Sequence, residues 1–177
     1  MNADALALAL AWLCHLAEPP PPLVETARLV ALEARRSPEH ARSALLVAAV
    51  CFAESRAGLD GRAASRCGVR LHGHYVRDAR IAVRVAAMSL LRWRRRCGDV
   101  RGAVLVYRHG RGCGASDSTG YASAVLAVER RLHRLVVAAQ RAIRESRAVP
   151  ESRRDRRPRG RFRRACSAST AASSAAT

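Results

Sequence analysis

"ALLVAAVCFAES", residues Ala44 to Ser55, decides the fold. Ten apolar residues in a row, Ala44 to Ala53, are followed at once by a carboxylate, Glu54, and then by Ser55, Arg56 and Gly58. Ser37 and Pro38 stand upstream as an N-cap and a first-turn proline, so the spacing predicts a helix from Pro38 to about Ser55. Its second half is apolar all round, which makes it the central element rather than a surface one. A carboxyl group at its end meets two effects that disfavour the anion: the negative pole of the helix and the neighbouring buried segment. Both favour a protonated acid near neutral pH, the state a general acid for glycosidic-bond cleavage requires. A solvated Glu on the last turn, paired with Arg56, is the alternative.

The rest of the chain is also written for helices. Ala, Leu, Val and Arg dominate its 177 residues and aromatics make up only 4%, so the class expected is all-α. A first helix should run from an Asp4 cap to about Ala17 and stop at "EPPPP", Glu18 to Pro22. Ala3 to Ala17 is apolar enough for a signal segment. However, Asp4 replaces the expected cationic start and no cleavage site follows, so an amphipathic helix is the better description. A second helix covers Leu23 to Arg36, with Leu23, Ala27, Val30 and Ala31 on one face. After a loop to Gly73, a fourth begins near Asp78 with Ile81, Val85, Met88 and Leu91 at helical spacing, and ends before Cys97-Gly98. A short fifth helix follows Asp99, through Val100 to Tyr107. The glycine-dense turn "RHGRGCG" and a last helix from Tyr121 to Ser146 complete the domain. The expected organisation is an N-terminal helix with a proline linker (1–22), a helical domain with a groove (23–149), and a disordered tail (150–177) that is first Arg-dense and then Ala/Ser/Thr-rich.

The formal charge is +18, and all 32 basic residues are Arg. Without the tail, 24 Arg still face 12 acids, so the domain itself is basic and suited to a polyanionic partner such as nucleic acid or an anionic wall polymer. The scarcity of aromatics argues against a stacking platform for single strands. With no run of eighteen apolar residues, no membrane-spanning helix is expected.

Of the six cysteines, Cys14 and Cys51 lie in apolar helices and read as buried thiols, whereas Cys67, Cys97 and Cys113 lie in loops. A Cys97–Cys113 bridge flanking the short helix is favoured, with Cys67–Cys113 next. Cys67, His72, His74, His109 and Cys113 lack the paired spacing of a zinc site, so neither metal nor cofactor is expected. A nucleophilic Cys113 with His109 has no third orienting group.

The order of these features resembles the lytic transglycosylase family, which includes soluble lytic transglycosylases and goose-type lysozyme-like proteins. The resemblance runs over roughly Leu29 to Leu135 and rests on Glu54-Ser55 ending a buried helix, the glycine loop, "RDARIAVRVAAMSLL", "CGDVRGAVLVYRHGRGC" and "GYASAVLAVERRL". It implies a lysozyme-like fold in which Glu54 is the catalytic acid/base. Ser55 follows it as in the family, Tyr107 and Gly110 match the "YNxG" turn by the sugar, and Tyr121 matches the aromatic residue opening the final helix. "SRCGVRL" falls where the family has "GLMQ": Gly68 fits and the Gln is absent, while Arg108 stands in place of the turn's Asn. The implied substrate is peptidoglycan glycan strands, cleaved with one carboxyl group to an anhydro product by a monomer outside the cytoplasm. A hydrolytic outcome would instead recruit Asp60, Asp78, Asp99 or Asp117. Two alternatives stand beside it. One is a nucleic-acid-binding protein using "RWRRRC", Arg92 to Cys97, and the tail. The other is a wall-binding relative with weakened catalysis, motivated by the missing Gln and Asn.

Overall fold

A computed structural model of the chain describes residues 1–110 and 112–148; the Arg-dense and Ala/Ser/Thr-rich segment read as disordered lies outside the described residues. The described chain is predominantly helical, with six α-helices and one two-residue hairpin. These are α1 (Ala3–Leu13), α2 (Pro21–Ala34), α3 (Pro38–Ser55), β1 (Arg70–Leu71), β2 (His74–Tyr75), α4 (Ala79–Cys97), α5 (Val100–His109) and α6 (Tyr121–Ala148). The hairpin is antiparallel, with Arg70 opposite Tyr75 and Leu71 opposite His74.

Helix α3 is the axis of the fold and packs against α2, α4 and α6. Ser37 caps it, accepting from the His40 amide at 3.2 Å, and Pro38 occupies the first turn. Leu46, Val47, Ala48, Ala49 and Val50 are all buried, which leaves α3 no solvent face along that stretch. Burying each Leu or Val side chain stabilises the fold by about 1.5–3 kcal/mol. Caps end the remaining helices where short polar residues stand. Asp78 accepts from the Ile81 amide at 2.8 Å and Asp99 from the Gly102 amide at 2.7 Å. Gly98 and Gly110 close α4 and α5 in the left-handed conformation.

Several expectations are corrected. Asn2, not Asp4, caps α1, accepting from the Asp4 and Ala5 amides, and the helix stops at Leu13 rather than Ala17. His15, at φ 57°, turns the chain toward the prolines. Helix α1 is not a separate appendage, because Ala5, Leu6, Ala9 and Leu10 are fully buried in the same core as α3 and α6. Helix α2 begins inside the proline run, at Pro21, since first-turn prolines sacrifice no helical hydrogen bond. On α4 the expected face holds only at Leu91, which is buried: Ile81 and Met88 are about half exposed, while Ala82, Val83, Ala86, Ala87 and Leu90 are buried. Small alanines share that buried face with Val83, Leu90 and Leu91. Among the described residues no helix is long and apolar enough to cross a membrane.

Candidate active site

Helix α3 ends with Glu54 and Ser55, and the chain then reverses through Arg56 (φ 52°), Ala57 (φ 55°) and Gly58 (φ 96°). Two consecutive non-glycine residues in the left-handed region are strained, on the order of 1–2 kcal/mol each, and need external support. Buried Thr26 supplies it by donating to the Ala57 carbonyl at 2.7 Å. The Gly58 amide donates to Ser55 Oγ at 2.9 Å.

This reversal brings the segment from Ser65 to Val69 back across the end of α3, where it is held from three sides. Cys51, one turn before Glu54, is disulfide-bonded to Cys67. Ser55 Oγ lies 2.5 Å from the Arg66 carbonyl and 3.2 Å from that of Cys51. Tyr107, from α5, donates its hydroxyl to the Cys67 carbonyl at 2.5 Å. The Arg66 side chain adds a link to α2 through Thr26 Oγ1 (2.9 Å), the Pro22 carbonyl (3.0 Å) and Glu25 (2.8 Å).

The clamped segment presses Gly68 against the carboxyl group of Glu54. Gly68 has φ +69°, and a Cβ on it would lie 2.4 Å from Glu54 Oε2 and 2.5 Å from Cδ, so any side chain there would displace the carboxyl group. Tyr121, opening α6, donates its hydroxyl to Oε1 at 2.6 Å. Arg108 reaches both carboxylate oxygens through Nη1, at 3.1 and 3.0 Å, and lies over the Tyr121 ring. The Glu54 side chain keeps only 10% of its exposure. Burial first, and the Glu54 charge second, push the Tyr107 and Tyr121 hydroxyls far above the usual phenol range, with Arg108 opposing in part. Both phenols therefore remain protonated donors at any physiological pH.

Outside Glu54 lies a groove of about 530 Å³ whose lining includes Gly68, Arg70, Tyr75, Trp93, Tyr107 and Arg108. Gly110 also lines it, and the space beside its Cα is open. Val85, Ser89 and Trp93 supply the α4 wall at i, i+4 and i+8, the stripe turned away from the buried alanines. Arg70 hydrogen-bonds the Tyr75 hydroxyl at 2.5 Å, which fixes the hairpin's contribution.

Gly68, Tyr107 and Gly110 thus line one groove, and Glu54 and Tyr121 adjoin it through the contact of Glu54 with Gly68, its pairing with Arg108 and its bond to Tyr121. Ser55 is not a surface for ligand: it is 2% exposed and its hydroxyl is engaged with backbone groups, so it positions the loop instead. The second disulfide is Cys97–Cys113, the pairing favoured from the loop positions. The first, Cys51–Cys67, corrects the reading of Cys51 as a buried thiol; Cys14 is buried and belongs to neither bridge. With Cys67 and Cys113 both in disulfides, neither is free to ligate zinc. Arg70, Tyr75 and Trp93 were not anticipated at the site, and Arg108, expected in the turn, was not anticipated as the partner of Glu54. The polar stripe of α4 was the available signal for Trp93, whereas Arg108 meets Glu54 across 54 residues of sequence. The chain matches no protein-family model, no curated protein and no solved structure with which it was compared.

Proposed function

We propose that the protein cleaves peptidoglycan glycan strands with Glu54 as a single general acid/base, in the manner of a lytic transglycosylase. The observation that carries this reading is that Glu54 adjoins a groove whose lining, among the described residues, holds no Asp or Glu, while the aspartates considered as partners are engaged by backbone amides. Asp78 and Asp99 cap helices, Asp60 accepts from the Arg62 amide at 3.0 Å, and Asp117 accepts from the Ala122 and Ser123 amides. A two-carboxylate mechanism needs a second acid across the sugar. A one-carboxylate mechanism does not.

In that mechanism Glu54 acts first as an acid, giving a proton to the glycosidic oxygen as the bond to the anomeric carbon breaks. The sugar's own 6-hydroxyl oxygen then bonds that carbon, and its proton returns to Glu54, leaving an anhydro end and a regenerated acid. Tyr121, a permanent donor, holds Oε1, while Oε2 lies against Gly68 and Arg108. Arg108 spans both oxygens and yields Oε2 to substrate. The two disulfides suit an oxidising, extracytoplasmic setting.

The test is to incubate purified sacculi with the wild-type protein and with Glu54→Gln. Release of anhydro-muropeptides by the wild type alone is expected. Equal absence of release in both overturns the reading and leaves the basic surface as a binding surface, to be measured by salt-dependent retention on DNA.

A further inference from the structure

About 16 Å along α3 from Glu54, toward its N-terminus, a separate cavity opens between α3 and the last turns of α4. It has a volume of about 260 Å³ and is lined by Arg42 and Ser43 of α3, Arg94 and Arg95 of α4, Glu39, and Leu91 beneath them. We infer that this cavity is a binding site for a phosphate group.

Two independent observations carry the assignment. The first is that three arginines, from two helices, line one small cavity. Arg95 is paired with Glu39, an internal carboxylate that already places one anion at the rim. Arg94 also feels Glu129 of α6, and Arg42 makes no ion pair with any described residue. The positive charge therefore exceeds what the protein itself neutralises. The second is Ser43. It is 2% exposed, it lines the same cavity, and its hydroxyl has no hydrogen-bond partner among the described residues. A helical serine ordinarily returns its hydroxyl to the carbonyl one turn back. Here that bond is not made, and a buried hydroxyl left unpaired costs free energy that a ligand oxygen would recover.

The chemistry favours phosphate over carboxylate. One guanidinium fork satisfies the two oxygens of a carboxylate. A tetrahedral oxyanion offers more oxygens in different directions, enough for forks from α3 and α4 and for the Ser43 hydroxyl. The site stands on two packed helices and uses no residue of the Glu54 cleft.

The experiment is titration calorimetry of the full chain with inorganic phosphate, ionic strength held constant with chloride, alongside thermal unfolding. The wild type binds one phosphate saturably, and Glu54→Gln binds it equally. Arg42→Gln with Arg95→Gln weakens binding at least about tenfold, while Arg141→Gln with Arg144→Gln, an equal charge loss on α6, leaves it unchanged. Ser43→Ala weakens binding roughly three- to tenfold without lowering the melting temperature of the ligand-free protein, because no bond is lost in that state. Glu39→Gln releases Arg95 and tightens binding. Equal weakening by both Arg pairs, acetate binding as tight as phosphate, or Ser43→Ala that lowers the ligand-free melting temperature and leaves affinity unaltered each overturns the site. Glycerol phosphate and vesicles of phosphatidic acid, each compared between the wild type and the Arg42/Arg95 variant, separate a soluble phosphate ester from a lipid headgroup. Loss of binding in either arm with that variant supports the site, and no loss in both overturns it.

Discussion

Replacing Gly68 with Ala tests the geometry around Glu54 more sharply than replacing Glu54 itself. The added Cβ would sit 2.4 Å from Oε2, 2.5 Å from Cδ and 2.8 Å from Cγ of Glu54. An ordinary contact needs about an ångström more, so the carboxyl group must move by that amount and give up Tyr121 and Arg108. Gly110 supplies the control, since its φ of +66° nearly equals the +69° of Gly68 while open space surrounds it. Backbone strain alone costs about 1–2 kcal/mol for Ala at either position. That corresponds to a melting-temperature loss of about 2–8 °C at this size. Gly68→Ala should lose a further 1.5–3 kcal/mol or so, the worth of a hydrogen bond to a charged group. Its release of muropeptides from sacculi should fall about a hundredfold, the effect of a misplacement near 1 Å. In a Glu54→Ala background the extra stability loss should vanish, since the clashing atoms are gone. Equal losses for the two glycine variants, or a double-mutant coupling below about 0.5 kcal/mol, would refute the proposed contact.

Three further outcomes are expected. Each disulfide spans 16 residues, so replacing either pair by alanine should cost about 3 kcal/mol in chemical denaturation. Only the Cys51/Cys67 pair should also reduce muropeptide release in protein that is still folded at low temperature, because only that bridge holds the Gly68 segment. Tyr121→Phe removes the hydroxyl from Oε1 and should lower turnover ten- to a hundredfold, about 1.5–3 kcal/mol, with an unchanged helical circular dichroism spectrum. An undiminished rate would remove Tyr121 from the mechanism. At Asp117 partial burial raises the carboxyl pKa. The Ser123 amide and hydroxyl, the Ala122 amide and Arg101 outweigh it and hold the group below the usual carboxylate range. A depressed folded-state value contributes stability above the unfolded-state value that is lost as pH falls through the folded one. The stability gap between the wild type and Asp117→Asn should therefore be full at neutral pH and close on acidification, as followed by melting temperature against pH.

The parts of the fold legible in the sequence are those set by neighbours along the chain. Ser37-Pro38 fixed where α3 starts, and Asp78, Asp99 and Gly98 marked helix ends, because a cap acts within three or four residues. The buried face of α4 was missed except at Leu91, because Ile81 and Met88 carry more apolar area than the alanines. Alanine lets helices approach closely, and that advantage exists only once a partner helix is present. The partner of Glu54 was missed for a related reason. Arg56 is near in sequence, but the left-handed turn after α3 carries its side chain back over the Phe52 ring, 5.7 Å from its centre. Arg108 arrives from α5 instead. Cysteine pairing is likewise a tertiary property, so an apolar helical position did not reveal that Cys51 is bridged.

The apolar run before Glu54 invites the view that helix burial alone orients the carboxyl group. The contacts divide that task in two. Helix α3 fixes the backbone of residue 54 through Leu46, Val47 and Val50, which touch nothing in the groove. The side chain is placed by Gly68, Tyr121 and Arg108, none of which belongs to α3. What joins the two is the last turn of α3: Cys51 and Ser55, on either side of Glu54, both hold the segment carrying Gly68. A core truncation such as Val50→Ala acts mainly on global stability, since the loop remains tied to the helix end and moves with it. Cutting the ties at Cys51 or Ser55 leaves the helix packed and frees the wall of the site. The tight sequence of Cys51, Glu54 and Ser55 is therefore a single device: one turn of helix that both presents a carboxyl group and anchors the glycine loop that confines it.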